Sequence, residues 1–378
     1  MTGRFESAHQ ILQQAVQSVT PAAQVAVRHK GQVVWNEAAG WLDPPEKKRP
    51  TTDTSRFDMA SVTKLFASTA FMRLVERNLV SLDQPVCTFL EEFQGFRSIQ
   101  AYEDPLKPGE VVDVSSQVLQ EVNASAITFR DLLTHTAGLP AWRPLYLQPD
   151  VQAARKMALT TFFAYQPHSR VVYSDIGLIL LGMAIEIITG MTLDQVISEF
   201  VLKPLNLNHT GYIQVGAKTA QDETVCAPTE YCQWRGRRMV AEVHDENAWR
   251  LGGISAHAGI FSTAQDIARF GQSFLNSGSP ILLPSTIAEM THPQAVDETT
   301  RRGLGFALWS SDPEASSNPF SQAAFGHTGF TGTCLWIDPS RDLVVSLLTN
   351  EVYYGRENRG IGALRIQIHQ AIVYAIDA

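Results

Sequence analysis

The β-rich segments of this 378-residue chain lie at its two ends, with mostly helical patterning between them. Near the start, Gln24–His29 and Gln32–Ala39 flank Lys30-Gly31, a two-residue connection that suits a hairpin. Near the finish, Thr333–Ile337 and Leu343–Leu348 flank Asp338–Asp342, a turn by composition. Strands so far apart in sequence bury their apolar faces most simply by pairing into one antiparallel sheet, with the middle looped out as an insertion. Apolar positions at helical spacing (Phe5, Ile11, Leu12, Val16) place an opening helix over residues 5–18. Helical patterns also mark Ser61–Arg77, Thr128–Leu133, Asp175–Thr189, Leu193–Phe200 and a last helix from roughly Asn358 to Tyr374. The expected fold is α+β: an antiparallel sheet flanked by helices, plus a mostly helical insertion domain. Residues 1–60 together with 250–378 form the sheet domain in this reading, 61–249 form the insertion, and an active site belongs between them. Gly95–Ser125 and Ser311–Ala323 are long loops of the kind that covers a site.

Composition narrows the function. With 30 Lys+Arg against 38 Asp+Glu the net charge is −8, and no basic stripe with interleaved aromatics is evident, which argues against nucleic acid as a partner. The most apolar run, Ile176–Ile188, is interrupted by Glu186 and is too short for a membrane span. The first residues lack the apolar stretch of an export signal, so a cytoplasmic protein is expected, or a periplasmic or extracellular one if a signal precedes them. Cys87, Cys226, Cys232 and Cys334 are too few and scattered for a disulfide framework. Neither Gly-x-Gly-x-x-Gly nor a Walker-type loop occurs, which leaves nucleotide chemistry without a cradle.

Three short motifs carry chemistry. Ser61-Val-Thr-Lys64 opens a helix, and a spacing of three puts the hydroxyl and the amine on one face. An amine whose pKa is lowered by burial can take the serine proton, and a helix N-terminus offers free N–H groups to an oxyanion. Alone, Ser-x-x-Lys is a weak signal, because Ser is also an ordinary N-cap. Tyr173-Ser174-Asp175 immediately precedes an apolar helix. Its phenol can pass a proton to a leaving group, while Asp175 also suits a plain helix cap. Gly326-His327-Thr328-Gly329 opens a strand-like run where a ligand backbone can approach closely, with the N–H of Phe330 as a second oxyanion donor.

In this order the motifs resemble the serine β-lactamase and penicillin-binding-protein-like superfamily, most closely its class C/peptidase S12-like branch of carboxypeptidases, D-aminopeptidases and esterases. Leu132–Leu139, Gly252–Thr263 and Trp336–Pro339 match too, so the resemblance runs from about residue 10 to the C-terminus. It implies a β-lactamase-like fold, an acyl-enzyme on Ser61, Lys64 as base partner and Tyr173 as proton shuttle. Asp175, His327, Thr328, Gly329 and Phe330 then contact substrate, and no metal or cofactor is implied. Two positions depart from the pattern: Asp175 stands where many relatives carry Asn, and His327 where β-lactamases carry Lys. A neutral His holds a carboxylate more weakly than Lys, and an ionised Asp repels one.

The leading expectation is therefore a serine hydrolase acting as an esterase or broad carboxylic ester/amide hydrolase. A D-alanyl-D-alanine carboxypeptidase, a D-aminopeptidase or a weak β-lactamase is the alternative, and a slow-turnover penicillin-binding sensor is the option from another class. Its substrate is accordingly a small-molecule ester, D-peptide or β-lactam, with the oligomeric state left open. Val243–Ala248 forms a dense polar cluster read as a substrate-side loop, not as a metal site, and His135 reads as a structural hydrogen-bonding residue.

Overall fold

Strands from the two ends of the chain share one eight-stranded sheet in the computed structural model, which describes residues 3–104, 107, 109–114, 120–275, 280–297, 300–357 and 359–378. The strands are β1 (Ala22–His29), β2 (Gln32–Gly40), β3 (Ala295–Val296), β4 (Arg301–Arg302), β5 (Ala307–Leu308), β6 (Phe325–Thr328), β7 (Cys334–Asp338) and β8 (Leu343–Thr349). Their order is β3-β4-β5-β6-β7-β8-β1-β2, antiparallel throughout. The first hairpin turns where expected. Lys30 and Gly31 both adopt positive φ (50° and 75°), the conformation a two-residue hairpin loop needs to match strand twist. The closing contact joins β1 to β8, with Ala23 opposite Thr349 and His29 opposite Leu343.

Helices cover both faces, which is why β1 and β8 read as apolar runs instead of alternating. Val25 and Val27 pack with Phe5 and Leu12 of α1 (Glu6–Ser18) and with Ile368 and Ile372 of the C-terminal helix, Ile361–Asp377. Ala22, Ala26, Val344 and Leu348 belong to the other layer, with Ile267 and Phe270 of the helix Ala264–Gln272. The chain leaves the large sheet after Gly40 and rejoins it at Ala295. Between those points α2 (Thr63–Glu76) and α3 (Asp175–Thr189) pack together, and every residue of Ile176–Ile185 is buried. A small sheet pairs Phe57–Asp58 with Phe261–Ser262, bringing the approach to Ser61 against the stretch after Gly253.

Three expectations shift in detail. Ser61 sits inside a single 3-10 turn, Ala60–Val62, that feeds α2. The helix from Leu193 ends at Ile197 and continues as a wider turn, Ser198–Leu202. The last helix begins at Ile361, Asn358 lying outside the described residues. Parts of Gly95–Ser125 are also outside them, and the remainder forms short paired strands. Asp312, Ala315, Ser316 and Ser317 of the other loop line a cleft with Ser61, and Trp336 Nε1 ties that loop down by donating to Ser316 Oγ (3.1 Å). All four cysteines are free thiols. Among the described residues no single helix is long and apolar enough to cross a membrane.

Candidate active site

Ser61 is presented by a strained approach. Ala60, directly before Ser61, has φ of 44°, a left-handed conformation that a side chain disfavours. Surrounding bonds over-determine it. The buried Asp58 carboxylate accepts the N–H groups of Ala60 (2.9 Å) and His244 (2.6 Å). Thr331 Oγ1 donates to the Asp58 carbonyl (2.7 Å) and Thr333 Oγ1 to that of Met59 (3.0 Å), stitching the turn after β6 onto the same segment. Gly329 in that turn must be glycine, since a Cβ there would lie 2.5 Å from Met59 O.

Lys64 is 1% exposed, and all three of its donors are engaged. Its Nζ donates to Ser61 Oγ (2.9 Å) and to the His257 carbonyl (3.0 Å), and lies 2.7 Å from Asp175 Oδ1. Burial pulls the Lys64 pKa down, but the Asp175 and Tyr173 oxygens outweigh it and hold the ammonium above its ordinary value. The amine lowered by burial that the sequence leads one to expect is thus a protonated one in the free enzyme. Asp175, expected against substrate, faces Lys64 instead. It is free to do so because Ser174 takes the N-cap of α3, its Oγ accepting from Gly177 N (3.3 Å) and donating to Pro140 O (2.7 Å).

Tyr173 stacks beside this pair, its ring centroid 4.8 Å from Lys64 Nζ. Its hydroxyl is buried within reach of Lys64 and Ser61 and makes no well-directed hydrogen bond among the described residues. Burial pushes the phenol pKa up, with Lys64 opposing, so it rests protonated. His135 is structural, as expected. It closes the helix Phe129–Thr134 at φ 59°, accepts the Ser174 N–H at Nδ1 (3.1 Å) and packs its ring 4.8 Å from that of Tyr173.

These groups open onto a cleft of about 770 Å³ whose lining includes Ser61, Tyr173, His327, Thr328, Gly329 and Phe330. Asp175 alone of the expected contact residues is absent from that lining. His327 is buried, and burial together with Arg302 and Lys64 drives its pKa down to about 3. Among the described residues four arginines, Arg301, Arg302, Arg356 and Arg365, face the cleft with two carboxylates, Asp312 and Glu351, and Arg356 is itself paired with Glu230 and Glu246. Arg365 Nη2 donates to the carbonyls of Gly329 and Thr333 (2.9 Å each), clamping both ends of the turn that carries Phe330. No local motif marks these arginines. Arg302 reaches the site from β4, the second strand from the edge of the sheet, and Arg365 from the C-terminal helix.

The polar cluster Val243–Ala248 is a second-layer brace. His257, whose carbonyl holds Lys64, has Nε2 2.9 Å from Asp245 Oδ1 and Nδ1 2.7 Å from Ser255 Oγ. Against the effect of burial, His257 holds the Asp245 carboxyl well below its usual range. Ligand atoms of Asp175, Asp245 and His257 lie within 4.8 Å of one another, a spacing a metal could use. Lys64 and the His257–Asp245 bond already satisfy them. Asn247 ties the cluster to the insertion through Tyr146 N (2.9 Å) and Arg143 O (2.8 Å).

A serine bonded to a buried lysine, with a phenol beside both, between an antiparallel sheet and a helical layer, defines a serine hydrolase. The Beta-lactamase family profile matches residues 8–370, and the chain belongs to that family. It is 31% identical over 386 residues to an N-acetylmuramyl-L-alanine amidase of Bacillus subtilis, covering 93% of this chain and 81% of that protein. A putative D-alanyl-D-alanine carboxypeptidase of Salmonella typhimurium is 31% identical over 331 residues, 80% of this chain and 70% of the other. Among solved structures, EstCE1, a hydrolase with promiscuous acyltransferase activity, shares the fold at a TM-score of 0.74 and 21% identity, over 97% of this chain and 98% of its own.

Proposed function

We propose that the protein hydrolyses an amide bond in a muramyl-peptide substrate, passing the acyl group to Ser61 and releasing an amine that begins a carboxylate-bearing peptide. The charge of the cleft carries this reading. Among the described residues four arginines face it against Asp312 and Glu351, in a chain whose net charge is −8. Arg356 is paired with Glu230 and Glu246, whereas Arg301, Arg302 and Arg365 make no ion pair among the described residues. Such local reversal of sign in a low-dielectric cleft concentrates anionic substrates. The name of the B. subtilis relative supplies the matching bond. A simple ester of a short acyl chain has no use for that wall.

In this mechanism Lys64 first loses a proton, which Asp175 and Tyr173 make harder by holding its pKa up; Ser61 Oγ then attacks the amide carbon as its proton passes to the neutral Lys64 amine. The developing oxyanion is held by the N–H groups of Ser61 and Phe330. Tyr173 protonates the leaving nitrogen as the C–N bond breaks. Water then attacks the acyl-enzyme by the same groups in reverse, restoring Ser61.

The test compares kcat/KM on N-acetylmuramyl-L-alanyl-D-isoglutamine, diacetyl-L-lysyl-D-alanyl-D-alanine, p-nitrophenyl butyrate and nitrocefin, with Ser61→Ala as blank. Release of L-alanyl-D-isoglutamine faster than D-alanine, at a rate absent from the blank, supports the proposal. D-alanine release or ester turnover without muramyl cleavage overturns it.

A further inference from the structure

Among the described residues two buried polar atoms near the phenol make no hydrogen bond, His327 Nε2 and Arg302 Nε, while Tyr173 Oη has only Lys64 and Ser61 within reach. They are neighbours. The rings of Tyr173 and His327 are 5.8 Å apart, and the Arg302 guanidinium carbon lies 5.2 Å from the Tyr173 centroid. All three residues line the cleft beside Ser61. Buried groups left without partners in a folded protein point to something that completes them.

The polarity of each atom is fixed by its surroundings. His327 Nδ1 lies 2.7 Å from the carbonyl oxygen of Thr328, which has no hydrogen to give, so Nδ1 carries the proton. The ring is buried and faces the cations Arg302, Lys64 and Arg365, which keeps it neutral, with a pKa of about 3. A neutral imidazole protonated at Nδ1 has a lone pair at Nε2. His327 therefore offers the cleft an acceptor, where a lysine would offer only donors. Arg302 Nε, near the same Tyr173 ring, is a donor. A peptide bond lying between them presents the complement of both, because a trans amide turns its N–H to one edge and its C=O to the other.

Building on the amide-hydrolase reading, we propose that His327 Nε2 and Arg302 Nε together grip the first peptide bond of the leaving group. Its N–H donates to His327 and its carbonyl accepts from Arg302. The enzyme thereby selects an amine that continues as a peptide over one that ends in a free carboxylate. A carboxylate would satisfy Arg302 but would set an anion against the His327 lone pair, leaving that acceptor unpaired. Tyr173 Oη stays available to protonate the scissile nitrogen one residue away.

Two measurements test this. Nitrogen-15 NMR of histidine-labelled protein should show His327 protonated at Nδ1 and bare at Nε2 at pH 7. Adding L-alanyl-D-isoglutamine, the bare leaving peptide, should move the Nε2 resonance upfield, and its N-methylated analogue should not. A proton found on Nε2, or no response to the peptide, overturns the proposal whatever the enzyme cleaves. In kinetics, kcat/KM on N-acetylmuramyl-L-alanyl-D-isoglutamine should exceed that on N-acetylmuramyl-L-alanine and on the N-methylated dipeptide by about tenfold, the scale of one lost hydrogen bond. His327→Gln, which keeps an acceptor, should retain the preference, and His327→Lys should reverse it toward the free carboxylate. Equal rates on all three overturn the grip while leaving the amide hydrolase standing. If no muramyl amide is cleaved the functional reading falls, and the NMR response still decides the contact.

Discussion

The two walls of the cleft differ in how much of their bonding is already made. Behind Ser61, Lys64 uses all three donors, on Ser61, on the His257 carbonyl and on Asp175, and His257 is in turn braced by Asp245 and Ser255. Across from it, His327 Nε2 and Arg302 Nε are buried with no hydrogen bond among the described residues. Groups that move protons in every turnover gain from being fixed in advance, because reorganisation then costs nothing at the transition state. Groups that recognise substrate gain from being unfinished, since the cost of leaving them unpaired is relieved only by the right ligand.

The sharpest break in this contrast is removal of the nucleophile. Ser61→Ala should abolish acyl-enzyme formation, read as a mass increment with a penicillin or a fluorophosphonate, with thermal unfolding little changed. A persistent adduct would place the chemistry elsewhere. Lys64→Ala follows, with an acylation rate at least ~10² lower, the usual scale for a lost proton acceptor. A near-normal rate would mean that the pre-formed wall is not what activates Ser61.

Asp175→Asn asks what keeps that wall protonated. Asp175 is a principal reason the Lys64 pKa is raised in spite of burial. Without its charge, burial prevails and the amine gives up its proton at lower pH. The rising limb of kcat/KM against pH should therefore move to lower pH in the variant, with the preference among leaving groups unchanged because Asp175 does not line the cleft. An unmoved limb would show that another group sets the protonation of Lys64; a changed preference would merge the two walls.

What could be read from sequence divides along the same line. The Lys30-Gly31 hairpin, the pairing of both chain ends and the Ser61–Lys64 pair were legible because each follows from local spacing or from the need to bury apolar strands. His135 was legible as structural for the same reason, whereas Tyr173 beside Ser61 and Lys64 was legible only through the family resemblance. The recognition wall was not. Arg302 and Arg365 arrive from a sheet strand and a terminal helix, and which way such long side chains reach depends on register and packing that no motif encodes. Asp175 reads as a substrate contact with a plain helix cap as the alternative; the fold gives the cap to Ser174 and sets Asp175 against Lys64, which no local pattern marks. The polarity of His327 hangs on the carbonyl of the very next residue, Thr328, which depends on backbone direction and not on residue type.

The smallest effect concerns the brace behind the nucleophile. Glu230 accepts from His244 Nε2 (2.9 Å) and from Arg356 Nε (2.8 Å), and the His244 N–H in turn holds Asp58 under Ala60. Burial alone would raise the Glu230 pKa, but His244 and Arg356 pull it from 4.5 down to about 2. A depressed carboxylate stabilises the folded state above its unfolded pKa and loses that contribution as pH falls through the folded one. Wild-type melting temperature should therefore fall between about pH 4.5 and pH 2 by more than that of Glu230→Gln, which has no proton to take up there. The variant should be the less stable of the two at pH 7, and the difference should narrow in acid. Parallel curves would detach Glu230 from the brace, and with it the claim that the bonded wall owes its rigidity to charges beyond the cleft.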